Sequence, residues 1–174
     1  MIRKALPSDA KAIAQVHIRS WQEAYRDLMP ADYLNSLEAT LARRESSWMG
    51  AIASGESPVW VAELDNQVVG WISVGASRDE DIAAGNVGEV MAIYVLAGYW
   101  HKGVGLALWN TGVHYLAAQQ YPRATLWVLA GNERAIRFYR RAGCVEEPGT
   151  ERTLHRGGVA LVEVRYGLSL VGLK

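Results

Sequence analysis

The sequence predicts one α/β domain with about seven strands. Strand-like and helix-like runs alternate along the chain in an order typical of a mixed α/β domain. No linker, repeat or low-complexity tract divides the chain. The length of 174 residues and the hydrophobic content of 50% are enough to bury one core. We therefore expect a single domain over residues 1–174.

The first third of the chain is predicted to be mainly helical after a short strand over residues 2–5. The pair Pro7-Ser8 marks a helix start, because proline suits the first turn and a small polar residue suits the cap. Apolar residues recur at helical spacing in the stretches that follow. The expected helices cover residues 7–25, 29–37 and 41–55.

The remainder is predicted to alternate strands with helices. The polar sequence at residues 65–67 predicts a hairpin turn. The polar, glycine-containing stretch 75–86 predicts a mobile loop. From Val145 the chain is expected to return to strand, with a turn at Gly157-Gly158. The other strands are expected over residues 59–64, 68–74, 89–95, 124–129 and 159–166, and the helices over 103–120 and 133–142.

Composition excludes several classes of function. Lysine and arginine number 18, as do aspartate and glutamate, so no net charge favours nucleic acid or an anionic membrane as partner. The single cysteine, Cys144, excludes a disulfide framework and a cysteine-rich metal site, and no metal is expected. No segment approaches the ~20 apolar residues of a membrane helix, and no signal peptide is evident. A cytoplasmic location is expected.

The glycine-bearing turn at residues 101–105 predicts a phosphate site. Gly103 and Gly105 let the backbone approach a ligand, and the amides from His101 to Leu106 lie at the predicted helix start, which favours anions. Lys102 adds a full charge. The alternative is a turn that only reverses the chain. The turn is neither a Walker motif nor a complete Rossmann fingerprint.

A second segment resembles a signature of the GNAT superfamily, the acetyl-CoA-dependent N-acetyltransferases. In residues 126–143 a strand is followed by Asn-x-x-Ala-x-x-Phe-Tyr-x-x-x-Gly, which begins at Asn132 and includes Tyr139. Residues 89–95 and 99–105 look like the acetyl-CoA strand and the pyrophosphate loop of that family. One departure is Trp100, which stands where the loop usually has Gln or Arg.

The resemblance implies both a fold and a donor. The fold would be a mixed, mostly antiparallel sheet with helices on both faces, splayed between strands 89–95 and 124–129 to admit acetyl-CoA. The donor would be held by backbone of the first strand, by the glycine turn and by the asparagine. The cofactor-binding residues implied are Ile93, Tyr94, Val95, His101, Lys102, Gly103, Val104, Gly105, Leu106 and Asn132.

The resemblance also implies catalytic roles. Tyr139 would protonate the departing CoA thiolate, and its alternative role is that of a core phenol. Some relatives carry a glutamate on the strand that corresponds to residues 124–129, but Trp127 occupies that place here. Glu89 is therefore the candidate base for the amine. The alternative for Glu89 is a solvated carboxylate at a strand end.

Aromatic residues at i+4 spacing on the first helix suggest the acceptor pocket. Trp21 and Tyr25 share one helix face with His17, and in the GNAT fold this helix borders the acceptor. They could form an aromatic wall against an amine, although core packing is the alternative for Trp21. These three side chains do not make a metal site.

The expected activity is direct transfer of acetyl from acetyl-CoA to a primary amine. The acceptor stays open between small molecules and protein or peptide amines. Two alternatives differ in class: a non-catalytic acyl-CoA-binding or sensor module on the same fold, and an unrelated nucleotide-binding domain. Seven tryptophans and the apolar final strand 159–166 lead us to expect a homodimer.

Overall fold

The computed structural model describes residues 1–55, 58–83 and 85–173. The helices are α1 (Ala10–Ala24), α2 (Ala31–Ser36), α3 (Leu41–Ser54), α4 (Val104–Ala118) and α5 (Glu133–Arg141). The strands are β1 (Ile2–Lys4), β2 (Val59–Leu64), β3 (Gln67–Ala76), β4 (Gly88–Val95), β5 (Arg123–Leu129), β6 (Val145–Glu146), β7 (Arg152–Arg156) and β8 (Val159–Ser169). No helix in these ranges is long and apolar enough to cross a membrane.

The strands of the described residues form one sheet in the order β1-β2-β3-β4-β5-β8-β6, and β7 also pairs with β8. The β4–β5 pair is parallel, and the others are antiparallel. The predicted fold class is confirmed. The sheet has 8 strands because the chain after Val145 forms two separate strands before the Gly157-Gly158 turn.

Helices cover both faces of the sheet, as predicted. Successive side chains of a strand point to opposite faces. On β3, Trp71 packs in one core cluster with Ile13 and Val16 of α1. Its neighbour Ile72 packs in another cluster with Leu108 of α4. The two clusters hold the sheet between α1 and α3 on one side and α4 on the other.

The sheet is splayed between β4 and β5. These two strands pair only at Gly88 with Ala124 and at Glu89 with Thr125. Beyond that point Met91 is an extra residue in β4 relative to β3, which is a β-bulge. A bulge bends and twists its strand, so the rest of β4 leaves β5 and one of its edges stays unpaired.

The segment after β3 was predicted to be a mobile loop, but β3 extends to Ala76 and charged contacts hold residues 77–83. Arg165 of β8 is almost fully buried and donates to Asp79 at 3.2 Å and to Asp81 at 2.7 Å. Arg165 also donates to Glu147 at 2.7 Å. The segment is therefore tied to the sheet by ion pairs. Ala84 lies outside the described residues.

Candidate functional site

The divergence of β4 from β5 opens a cleft of about 590 Å³. Most of the predicted site residues line it: Trp21, Tyr25, Glu89, Ile93, Tyr94, Val95, His101, Gly103, Gly105, Leu106, Asn132 and Tyr139. Two others are not among the lining residues. Lys102 is exposed, with its ammonium 5.4 Å from the ring centre of Tyr99, and Val104 is buried in the core.

The start of α4 presents backbone to the cleft. His101 and Gly103 both have left-handed backbone, with φ of 60° and 80°. The Ala107 amide donates to the Gly103 carbonyl at 3.0 Å, so the amides that precede Ala107 lie in the first turn, which lacks intrahelical partners. A Cβ added to Gly103 would have no protein atom within 4 Å. This backbone is open to an anionic ligand.

The unpaired edge of β4 forms a second wall. The Leu96 amide donates to the Val69 carbonyl of β3 at 3.0 Å. Because backbone groups alternate along a strand, those of Val95 and Ile93 face the open edge, and those of Tyr94 face β3. The Val95 carbonyl accepts from the indole Nε1 of Trp100 at 2.7 Å. The side chain of Tyr94 contributes a phenol to the cleft instead.

A guanidinium lies where the loop lacks its usual Gln or Arg. The guanidinium carbon of Arg134 is 3.7 Å from the ring centre of Trp100, a cation–π arrangement. Within the described residues Arg134 forms no ion pair, and burial lowers its pKa. The side chain of Trp100 thus supports a cation delivered from α5 rather than carrying one itself.

Asn132 caps α5. Its side-chain oxygen accepts from the Ala135 amide at 3.2 Å, so the N-cap role that was its alternative is present. The side-chain nitrogen has no hydrogen-bond partner in the described chain, and the residue lines the cleft. One amide can therefore cap the helix and still donate to a ligand.

Tyr139 has a buried ring and a phenol that faces the cleft. The ring packs against Trp109 and Phe138, with ring centres 5.5 Å apart in each case. Its hydroxyl forms no hydrogen bond with any described residue. Burial raises the pKa of Tyr139 well above its ordinary value, so the phenol is protonated at neutral pH. It has a proton to give and no protein acceptor for it.

Three phenols and an indole meet at the far end of the cleft. Trp21 donates from Nε1 to the Tyr94 hydroxyl at 2.9 Å, and its ring contacts Tyr25 at 5.2 Å between ring centres. Burial raises the pKa of Tyr25, whose phenol also interacts with those of Tyr94 and Tyr139. His17 stacks on Tyr94, and burial lowers its pKa to about 3. This end of the cleft is aromatic.

These features match a known family. The model of the Acetyltransferase (GNAT) family matches residues 12–144. The chain belongs to the GNAT acetyltransferase family. An uncharacterised N-acetyltransferase of Bacillus subtilis, YuaI, is 34% identical over 167 residues, which are 95% of this chain and 91% of that protein. As a GNAT protein, the chain is an acetyl-CoA-dependent N-acetyltransferase.

Two further proteins are similar to part of the chain or to its fold. The mycothiol acetyltransferase of Acidimicrobium ferrooxidans is 34% identical over 122 residues, which are 69% of this chain but 36% of that protein. The PaiA N-acetyltransferase of Thermoplasma acidophilum, solved with coenzyme A, superposes with a TM-score of 0.76 at 18% identity and covers 97% of this chain and 98% of its own. That similarity supports the GNAT fold.

Glu89 lines the GNAT cleft but is already paired. Its Oε1 accepts from Arg78 Nη2 at 2.7 Å, and its Oε2 accepts from Arg78 Nε at 3.2 Å and from the Arg78 amide at 3.0 Å. The residue is 2% exposed, so it is not a solvated strand-end carboxylate. Its evident role is to fix the segment after β3, and a role as base stays a prediction that requires Arg78 to move.

Trp127 also holds that segment rather than reacting. Its indole Nε1 donates to the Asp79 carboxylate at 2.9 Å. The guanidinium of Arg152 lies over its ring at 3.8 Å. The indole of Trp127 therefore anchors Asp79 through its nitrogen and supports the guanidinium of Arg152 on its ring.

Sequence reasoning missed several residues of the cleft, among them Ser20, Arg134 and Glu163. The hydroxyl of Ser20 is buried with no hydrogen-bond partner in the described chain, which is uncommon enough to suggest a ligand contact. The sequence did contain a pattern that could have indicated Glu163. It shares its strand face with Leu161 and Arg165, both of which are buried, so a charged residue on that face suggests pairing or function.

Proposed function

We propose that the protein transfers acetyl directly from acetyl-CoA to a primary amine. The observation that carries this proposal is one continuous cleft, lined by the open backbone at Gly103, the proton-bearing phenol of Tyr139 and the aromatic end at Trp21. Bringing two reactants together in one cleft contributes on the order of 7–11 kcal/mol to lowering a barrier.

The donor would lie along the open edge of β4. The amides from His101 to Leu106 would bind the pyrophosphate, with Arg134 supplying the charge that Trp100 does not. The backbone of Ile93 and Val95 would pair with the pantetheine like an added strand, and Asn132 would donate to it. The exposed position of Lys102 supports only a long-range contribution.

The reaction would proceed through a tetrahedral intermediate. The neutral amine attacks the thioester carbonyl, and a backbone amide near Val95 would stabilise the developing oxyanion. Tyr139 would give its proton to the CoA thiolate as the carbon–sulfur bond breaks. The buried and protonated state of Tyr139 supports this role, since an ionised phenol could not donate.

The acceptor would enter at the aromatic end, against Trp21 and Tyr25. The name of the mycothiol acetyltransferase relative supports a small-molecule amine. Amines on proteins or peptides also fit an open cleft mouth. We further propose a homodimer through the C-terminal strands, because Val159 and Val162 are exposed there. A monomeric mass by light scattering at micromolar concentration would contradict that assembly.

One experiment tests the activity. Purified protein is incubated with acetyl-CoA and a panel of primary amines, and free thiol is measured against a reaction without amine. We expect amine-dependent thiol release and an acetylated amine of the correct mass. Tight acetyl-CoA binding by calorimetry without any acetylated amine would favour the non-catalytic acyl-CoA sensor.

A further inference from the structure

Two carboxylates line the cleft within the described residues, Glu89 and Glu163. Both oxygens of Glu89 accept from Arg78. Glu163 is different, because only its Oε2 accepts, from Nε of Arg152 at 2.8 Å. Its Oε1 has no protein donor in the part of the chain that the structure describes. Among the carboxylates that the structure describes in this cleft, Glu163 therefore offers the one oxygen that is free of a protein hydrogen bond.

Glu163 is held in a fixed position. The β7–β8 register sets it opposite Arg152, and β5 presents Leu129 on its other side. Arg152 is itself fixed, since its guanidinium stacks on Trp127. The side chain of Glu163 is 18% exposed, so it is partly shielded from solvent. A carboxylate oriented in this way needs little reorganisation to bind a cation.

Glu163 also lies near the proposed chemistry. Burial and neighbouring phenols raise the pKa of Tyr25, and the charge of Glu163 raises it further. Burial is likewise the main cause of the raised pKa of Tyr94, to which Glu163 adds. Glu163, Tyr25, Tyr94 and Tyr139 all line the same cleft, so the carboxylate and the proposed acid belong to one site.

We propose that Glu163 recognises the acceptor by binding its ammonium group, which would make the preferred substrate an amine that is protonated in solution. This inference rests on the proposed function for its biological meaning. A primary alkylamine resembles the lysine side chain, with a pKa near ~10.4, so it arrives as a cation at neutral pH. A charge-assisted hydrogen bond to a fixed carboxylate selects that cation over a neutral group of the same shape.

The acceptor nitrogen loses two protons during the reaction. The bound ammonium loses one proton to water in the open cleft mouth, which frees the lone pair that forms the carbon–nitrogen bond. The nitrogen loses a second proton as the tetrahedral intermediate collapses and the carbon–sulfur bond breaks. Tyr139 protonates the thiolate and regains a proton from the nitrogen through solvent. In this sequence Glu163 binds and orients the amine and keeps its charge.

The test uses 2-phenylethylamine and its neutral counterpart 2-phenylethanol as probes. Binding to the full protein in the presence of CoA is measured by calorimetry. We expect the parent protein to prefer the amine, and Glu163→Gln to lose that preference by roughly 10- to 150-fold in affinity, the range of a hydrogen bond to a charged group. Affinity for CoA should not change.

Two control variants sharpen the result. Glu63→Gln removes a carboxylate that pairs with Arg3 and has a similar 22% exposure, but it lies outside the cleft lining. Glu63→Gln should keep the amine preference. A thermal melt of each variant excludes unfolding, and Glu163→Asp, which keeps the charge, should retain part of the preference.

Two outcomes would overturn the inference: no preference for the amine in the parent protein, or an unchanged preference in Glu163→Gln. Failure of the proposed function is seen separately, as absence of amine-dependent thiol release. Where an amine is turned over, Glu163→Gln should raise its KM far more than it lowers kcat. A fall in kcat with an unchanged KM would contradict a binding role for Glu163.

Discussion

Tyr139→Phe should separate catalysis from stability. The substitution removes one hydroxyl and keeps the ring that packs against Trp109 and Phe138. Loss of a general acid typically costs ~10²–10⁴-fold in rate, which is about 2.7–5.4 kcal/mol of barrier. The hydroxyl has no hydrogen-bond partner in the described chain, so no partner is left unpaired in the folded protein. We expect a large fall in kcat with unchanged CoA affinity and an unchanged or higher melting temperature.

The matched control is Tyr166→Phe. Tyr166 is also a buried phenol, but its hydroxyl donates to Glu146 at 2.9 Å and accepts from Arg140 at 3.0 Å. It lies outside the cleft lining. Removing this hydroxyl should lower stability by about 1 kcal/mol, the size of a typical hydrogen bond, and leave turnover intact. The two variants should therefore show opposite effects.

The assay is thiol release with an accepted amine, together with a thermal melt of each variant. The pH dependence provides a third measurement. Because burial raises the pKa of Tyr139, the phenol keeps its proton as pH rises, and the rate should not fall between about pH 7 and 10 through its ionisation. Full activity in Tyr139→Phe would refute the reasoning, as would a loss of stability like that of Tyr166→Phe.

Three further predictions concern the donor site and the fold. Gly103→Val should abolish CoA binding by calorimetry, whereas Gly149→Val, at a similar positive φ of 74° against 80° and with no protein atom near its Cβ, should share the backbone strain and keep binding. Arg134→Gln should weaken CoA binding and reduce its dependence on salt, because one partly buried cation is lost. Arg165→Leu should lower stability by about 3–5 kcal/mol in a denaturant titration, because Asp79 and Glu147 lose a buried partner; a change below ~1 kcal/mol would contradict its role.

Features that depend on neighbouring residues could be predicted from the sequence. Gly55 ends α3 in left-handed backbone, and Asn132 caps α5, each as its residue type suggests. The strand predicted over residues 89–95 is observed from Gly88 to Val95. In these cases the residues that cause the feature lie within a few positions of it in the sequence.

Features that depend on distant residues could not be predicted from the sequence. Arg165 meets Asp79 and Asp81, which are 86 and 84 positions away, so the ion pairs that hold their segment could not be foreseen. The free oxygen of Glu163 depends on the register between β7 and β8. No local pattern fixes either contact, because each requires the sheet to be assembled first.

The opening between β4 and β5 is held at both ends, which bears on how the donor binds. At one end the pair of Arg78 with Glu89 fixes the segment that follows β3 against the start of β4. At the other end the indole of Trp100 binds the Val95 carbonyl, and Arg134 stacks on that indole. The unpaired edge is thus held by contacts within the protein itself. Since ordering flexible groups is a main cost of association, an edge held in this way would let the pantetheine of the proposed donor pair with β4 at a lower cost in conformational freedom.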